Sequence, residues 1–210
     1  MKELINKIRK LKDSDISIRV NEKINEFKEI NSKDDKIWFS ELCFCLLAAN
    51  SKAKNSLKIQ NELGIKGLLE SSLDDVTKCI RRNNHRFHNT KAKFIVEARK
   101  LMPIKQKILQ IINERDDPRE FLVNNVKGFG YKEASHYLRN IGYPKYAILD
   151  RHILFLLKEA GLINEIKKSM TKNKYLEVEK EFMKICGNLK MDPGEVDLYM
   201  WYMMTGDLVK

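Results

Sequence analysis

Glycine (9) and proline (4) are scarce in this chain of 210 residues. Their scarcity argues against an all-β sandwich with many tight turns and against a disordered chain. Long apolar runs are missing too. The longest, Leu42 to Ala49, has eight residues, whereas a membrane-spanning helix needs roughly 20. The N-terminal stretch MKELINKIRKLKDSD carries acids and lacks the apolar core of a secretory signal, so a protein of the cytosol is expected, with no membrane partner. Cysteine occurs only at 43, 45, 79 and 186, with no CxxC pair and no Cys/His zinc spacing. Neither a metal site nor a cysteine-held cluster is expected, and the four thiols suit buried positions in a reducing compartment.

Acidic residues are in deficit: 29 Asp and Glu against 40 Lys and Arg leave a net charge of +11. With a pI near 9.4, a polyanionic partner becomes a leading suspect. Hydrophobic residues reach 43%, enough for an interior, and the mean hydropathy of −0.47 gives a soluble surface. One domain, or two small lobes sharing a core, fits this length.

Apolar residues recur at intervals of three and four almost throughout, which predicts an all-α chain. Helices are expected at about 2–12, 19–29, 34–49, 52–63, 72–82, 90–101, 104–114, 117–126, 132–141, 151–160, 173–189 and 193–205. Ser72 with Asp75 resembles a capping box, Thr90 precedes a helix, and Asp192-Pro193 supplies a cap followed by a first-turn proline. Gly64, Gly142 and Gly161 stand where left-handed C-terminal residues belong. Tyr143 to Leu149 is the one candidate extended piece.

The basic residues cluster. Lys78 to Lys93 holds six Lys or Arg, two His and no acid, centred on Arg81-Arg82-Asn83-Asn84-His85-Arg86-Phe87-His88-Asn89. A solvated turn would account for it. So would a loop that meets phosphates and pushes a side chain into a base stack. A second stretch, Val126-Lys127-Gly128-Phe129-Gly130-Tyr131-Lys132, puts two glycines between helical segments. Positive φ at such glycines, with amides exposed at the next helix start, suits a phosphate. Tight turns between helices use glycine as well, so this pattern alone is weak.

Eighteen residues after Lys132 comes Asp150-Arg151-His152, opening another helix. A Gly-x-Gly-x-Lys hairpin followed at that spacing by Asp-x-His resembles the helix-hairpin-helix superfamily of DNA glycosylases. Within it the chain looks like the 8-oxoguanine DNA glycosylase/AP lyases of type 2. The words that carry the likeness include Trp38-Phe39, His85-Arg86-Phe87, Gly130 to His136, Leu138 to Tyr143, Asp150 to Ile153, Asp197 to Tyr202 and a terminal Lys210. Phe129, where an aliphatic residue is more usual, and His88, where Tyr is common, depart from the pattern.

The resemblance implies two helical lobes with DNA in a cleft between them. A middle lobe of 32–150 would carry the helix-hairpin-helix at about 118–142, and 1–31 with 151–210 would form the other lobe. It implies a monomer near the chromosome that takes double-stranded DNA containing 8-oxoguanine, excises the base and cleaves the strand by β-elimination. No cofactor is implied beyond a monovalent cation at the hairpin carbonyls. Lys132 would be the nucleophile. A free lysine is only about 0.04% neutral at pH 7, and lowering its pKa to around 7–8 would raise that fraction by roughly 10²–10³. Asp150 would stabilise positive charge on the sugar. Asp150 also precedes an apolar-periodic helix, so it doubles as an N-cap.

His136 and Trp201 would stack on the everted base, Asp197 would accept from the purine N1 and N2, and Lys210 would reach the lesion pocket. Asp197 and Trp201 share a helix face, being four apart. At such positions Trp201 and His136 equally suit core packing. Asn50, Arg86 and Phe87 would fill the gap in the duplex, Gly128 and Gly130 would meet phosphate, and His152 could donate to another. Two rivals remain: the same fold acting on oxidised pyrimidines or mismatched bases, and a non-catalytic helix-hairpin-helix DNA-binding module.

Overall fold

The computed structural model describes every residue except Lys168 and Lys210. The described residues form α-helices joined by turns, with one short 3₁₀ segment and no strand. In chain order the helices are α1 (Lys2–Lys12), α2 (Ile16–Ser32), α3 (Asp35–Ala48), α4 (Ala53–Glu70), α5 (Leu73–Arg82), α6 (His88–Ala98), α7 (Ile104–Asn113), α8 (Pro118–Asn125), α9 (Tyr131–Asn140), α10 (Arg151–Glu159), α11 (Lys172–Leu189) and α12 (Pro193–Thr205). The all-α expectation agrees with this. None of these helices is long and apolar enough to cross a membrane.

Most helix ends fall within a few residues of the periodicity. The exceptions have local causes. α2 begins at Ile16 because Ser14 Oγ accepts the Ile16 amide and starts the turn early. α4 continues to Glu70 through a kink at Gly64, whose φ of +58° supplies the expected left-handed turn without ending the helix. α6 starts at His88, so Thr90 lies inside it and caps nothing. Asp192 precedes Pro193 as expected, yet its side chain makes no capping bond. Ser72 does cap, accepting the Asp75 amide at 3.1 Å. Tyr143 to Leu149 is irregular rather than a strand; the Tyr175 hydroxyl bonds the Ala147 carbonyl and the Leu149 amide, taking the place of strand pairing.

The chain divides into two compact units. One comprises Ile30–Tyr137, to which Val209 is assigned. Its centre is α3, buried continuously from Trp38 to Leu47, with α4, α6 and α7 packed around it. α5 lays its apolar stripe of Val76, Cys79 and Ile80 against α6. The other unit comprises Met1–Glu29 and Leu138–Leu208. There α12, apolar nearly all round, packs against α1, α10 and α11.

The later boundary falls between Tyr137 and Leu138 rather than at 150. Residues 138–150 are bound by bonds within the same unit: Glu179 accepts the Ala147 amide, and the Gly194 amide bonds the Pro144 carbonyl. A cluster of His, Cys, Asp or Glu able to hold a metal ion is absent among the described residues. All four cysteines are free and buried, and burial pushes the thiols of Cys79 and Cys186 up to about 11 and about 12.

Candidate active site

The hairpin lies between α8 and α9. Asp117 caps α8 with Pro118 in its first turn, and Glu120 of α8 accepts the Tyr131 hydroxyl. Those bonds tie the two helices on either side of the turn. Gly128 takes φ +94°, and a Cβ there would come within 2.4 Å of the Phe94 ring. Glycine is therefore required at 128 for both conformation and space. Gly130 is not in the left-handed region, so only one of the two hairpin glycines needs its freedom for φ. The Gly130 amide, expected to face a phosphate, instead donates to Glu133 Oε2 at 3.1 Å. This is the return half of a capping box, with the third helical residue reaching back to the cap.

Lys132 follows at the second position of α9. Its side chain is 25% exposed, and its Nζ lies 3.0 Å from Glu133 Oε1. Glu133 thus serves two neighbours at once. Burial works to raise its pKa, but attraction and hydrogen bonding from Lys132, with the Gly130 amide, outweigh burial and hold the carboxyl below its usual range. Farther along α9, the His136 ring meets Phe44 edge-on at 5.8 Å.

In the same unit, Asn50 follows α3 exposed and with φ +60°, a conformation asparagine tolerates better than most residues. The basic loop is shorter than its composition suggests, spanning 83–87 between α5 and α6. His85 is its anchor. It is 2% exposed, its Nε2 bonds the Leu47 carbonyl at 2.9 Å, and its Nδ1 accepts the Phe87 amide at 3.2 Å. Those two bonds together suit the neutral ring, and burial pushes its pKa down. With His85 fixed, Phe87 stands exposed and the Arg86 guanidinium covers its ring at 4.3 Å.

In the other unit, Asp150 caps α10, its Oδ1 accepting the Ile153 amide at 2.9 Å. Two residues on, His152 packs edge-on against Trp201 at 5.0 Å. The Trp201 indole nitrogen is buried without a hydrogen-bond partner among the described residues. Asp197, one helical turn before Trp201, is only 4% exposed, and its Oδ2 accepts from the Arg139 guanidinium. Arg139 is itself 3% exposed and stacks over Phe27 at 4.8 Å. Gly194 leaves room for this arginine, since a Cβ there would meet Arg139 Cγ at 2.9 Å. Lys210 lies outside the described residues.

Four further residues emerge that the motifs did not single out: Lys91, Glu133, Arg139 and His85 in its anchoring role. Lys91 and Arg139 fall on inward helix stripes, which the periodicity does contain. Glu133 sits three residues after Gly130, the capping-box spacing.

An all-α protein with a glycine hairpin leading into a helix-borne lysine, and a capped aspartate eighteen residues on, has the form of a helix-hairpin-helix glycosylase. The family model described as 8-oxoguanine DNA glycosylase matches residues 20–191. A Methanocaldococcus jannaschii protein named 8-oxoguanine DNA glycosylase/AP lyase is 44% identical over 207 residues, covering 99% of each chain. The crystal structure of the Methanocaldococcus jannaschii 8-oxoguanine glycosylase/lyase, in complex with a 15-mer DNA containing 8-oxoguanine, matches with a TM-score of 0.95 at 43% identity, over 99% of this chain and 100% of that one. The 8-oxoguanine DNA glycosylase of Thermotoga maritima matches with a TM-score of 0.91 at 38% identity, over 100% and 99%. The chain belongs to the 8-oxoguanine DNA glycosylase/AP lyase family.

Proposed function

We propose that this protein removes 8-oxoguanine from double-stranded DNA and then cleaves the strand at the abasic site, with Lys132 as nucleophile. The observation that supports this most directly is the placement of Lys132 at the start of α9, its amine half-buried beside one carboxylate. Family membership supplies the substrate.

The lesion must leave the stack before C1′ can be reached. As the neutral amine, Lys132 attacks C1′, the N-glycosidic bond breaks, and its electron pair leaves with the base. Loss of a proton from nitrogen and opening of the sugar ring give a Schiff base to Lys132. Removal of a C2′ proton then expels the 3′ phosphate, cutting the strand. Asp150, oriented by its capping bond to the Ile153 amide, stabilises positive charge developing on the sugar.

Trp201, whose indole N–H has no partner among the described residues, and the neighbouring His152 are the base-pocket and backbone candidates of one unit. Asp197 keeps its role in reading the base while already bound to Arg139, which leaves the carboxylate fixed in direction. Asn50, Arg86 and Phe87 fill the vacated space in the duplex, and His136 contributes to the pocket. A monovalent cation at the hairpin would be held by main-chain carbonyls; that of Val126 already accepts the Phe129 amide at 3.0 Å, and no chemical step requires the ion.

Borohydride trapping tests the reading. Wild type on a duplex with one 8-oxoguanine should give a covalent adduct, and Lys132→Gln should give none while still binding DNA. Binding without an adduct in wild type would favour a DNA-binding module, and cleavage confined to oxidised pyrimidines would replace the substrate.

A further inference from the structure

The end of α3 leaves one main-chain carbonyl to be answered from elsewhere. The chain turns out of the helix at Ala49, whose ψ is 115°. A continued helix would aim the Ser51 amide at the Leu47 carbonyl, but that amide bonds the Ala48 carbonyl at 3.1 Å instead. The His85 Nε2 takes the vacant place on Leu47 at 2.9 Å, reaching from 38 residues along the chain. Its other ring nitrogen, Nδ1, accepts the Phe87 amide at 3.2 Å. One ring, 2% exposed, therefore joins two segments of the same unit. Asn50 stands just past Leu47, and Phe87 just past His85 with Arg86 over its ring. The loop has a second tie, from Asn83 Nδ2 to Glu62 of α4 at 2.6 Å, but it holds the first loop residue and does not touch α3. Among the described residues, the bond from His85 to Leu47 is the one hydrogen bond between this loop and α3.

We propose that His85 is a positioning residue that locks the end of α3 to the α5–α6 loop, so that Asn50 and the Arg86–Phe87 pair meet the duplex as one preformed wedge. Opening a base stack is costly. Segments ordered only at insertion add their own ordering to that cost, whereas a bridged pair is already ordered in the free protein. The ring also fixes the spacing between the two segments, since moving either one breaks a bond on the imidazole. Both bonds need the same tautomer, with the proton on Nε2 and Nδ1 bare.

This inference rests on the proposed function for its purpose, not for the bridge itself. In DNA-free wild type, ¹⁵N spectroscopy should show His85 protonated at Nε2 alone; the other tautomer overturns the proposal, whether or not any variant folds. Two substitutions then split the bridge. His85→Asn keeps an acceptor near the Nδ1 position and loses the reach to Leu47, and His85→Gln keeps a donor near the Nε2 position and loses the acceptor for Phe87. The Asn variant should lower the backbone order parameters of Ala49 to Ser51 from about 0.85 to below about 0.6, with Phe87 unchanged, and the Gln variant should do so at Arg86 and Phe87. Order at Ala49 to Ser51 that survives in the Asn variant overturns the bridge. With 2-aminopurine beside the lesion as the reporter of unstacking, in a Lys132→Gln background, each substitution should lower the everted fraction roughly three- to tenfold. Affinity for undamaged duplex should stay within about twofold, and single-turnover excision at saturating enzyme should fall with eversion. Wild-type eversion in either variant shows that one segment suffices and overturns the proposal. An equal loss of affinity for undamaged duplex shows a general loosening and overturns it as well. Should wild type excise no 8-oxoguanine, the functional reading falls, while the tautomer and the order parameters still decide whether His85 couples the two segments.

Discussion

At Asp150 a single carboxylate closes the first turn of α10 by accepting the Ile153 amide. The same oxygen pair is assigned to the reaction, and substitution can separate the two roles. Asp150→Ser keeps a good cap and removes the charge, so its stability should stay within about 0.5 kcal/mol of wild type. Asp150→Ala should lose about 1 kcal/mol. Both should lose single-turnover excision to a similar extent; a serine variant that excised normally would reduce Asp150 to a cap. Lys91 gives a second expectation at this scale. Its folded pKa lies near 8, below the ordinary lysine value of 10.5, so between those values the unfolded chain binds more protons. Stability therefore rises with pH across that window. Lys91→Met should be more stable than wild type by ~1–3 kcal/mol at pH 7, with the gap closing as pH approaches 10.5, as read by denaturant melts. Arg139 and Asp197 are both buried and joined by an ion pair. Arg139→Met should destabilise by about 3–5 kcal/mol, a change thermal unfolding would register.

Among the elements, the loop between α5 and α6 depends on neutral His85. Burial lowers its pKa, so as pH falls through the unfolded value of about 6.5 the folded form loses ground to the protonated chain. A protonated ring could no longer accept the Phe87 amide. Hydrogen exchange at that amide, corrected for its intrinsic rate, should speed up below pH 6.5, while exchange within α3 stays unchanged. Equal acceleration in both would mean that the whole unit opens. Element by element, helix positions were readable because a 3.6-residue period survives wherever one face is buried. Gly64, Gly142 and Gly161 all take positive φ as their positions imply. Thr90 misled because capping residues also occur inside helices. The true α6 start is dictated by His85, whose partner Leu47 is 38 residues away. Lys132 and Asp150 were legible because spacing and residue type recur together. The pairings of Arg139 with Asp197 and of Tyr175 with Ala147 were not, because no local pattern encodes which distant side chain will answer a buried charge or a main-chain carbonyl.

For the whole molecule, the surplus of +11 is the feature with the widest reach. Binding to undamaged duplex should weaken by roughly 10²–10³ between 50 and 200 mM salt, as counterions are released from several phosphates. Fluorescence anisotropy across that range would reveal it, and a flat profile would remove phosphate contact as the main source of affinity. The excess charge was plain from composition alone. Its distribution was legible in part: the run from Lys78 to Lys93 stands out by sequence, yet it contains Lys91, which lies on the inward stripe of α6 and is largely buried.

The four cysteines are all interior, and those of Cys79 and Cys186 hold their protons to about 11 and about 12. The native chain should accordingly be inert to maleimides at neutral pH. One cysteine introduced at Ser51, beside Asn50, would become the sole reactive handle. A fluorophore attached there could follow the opening of the duplex in real time, with no need to strip out the natural thiols first.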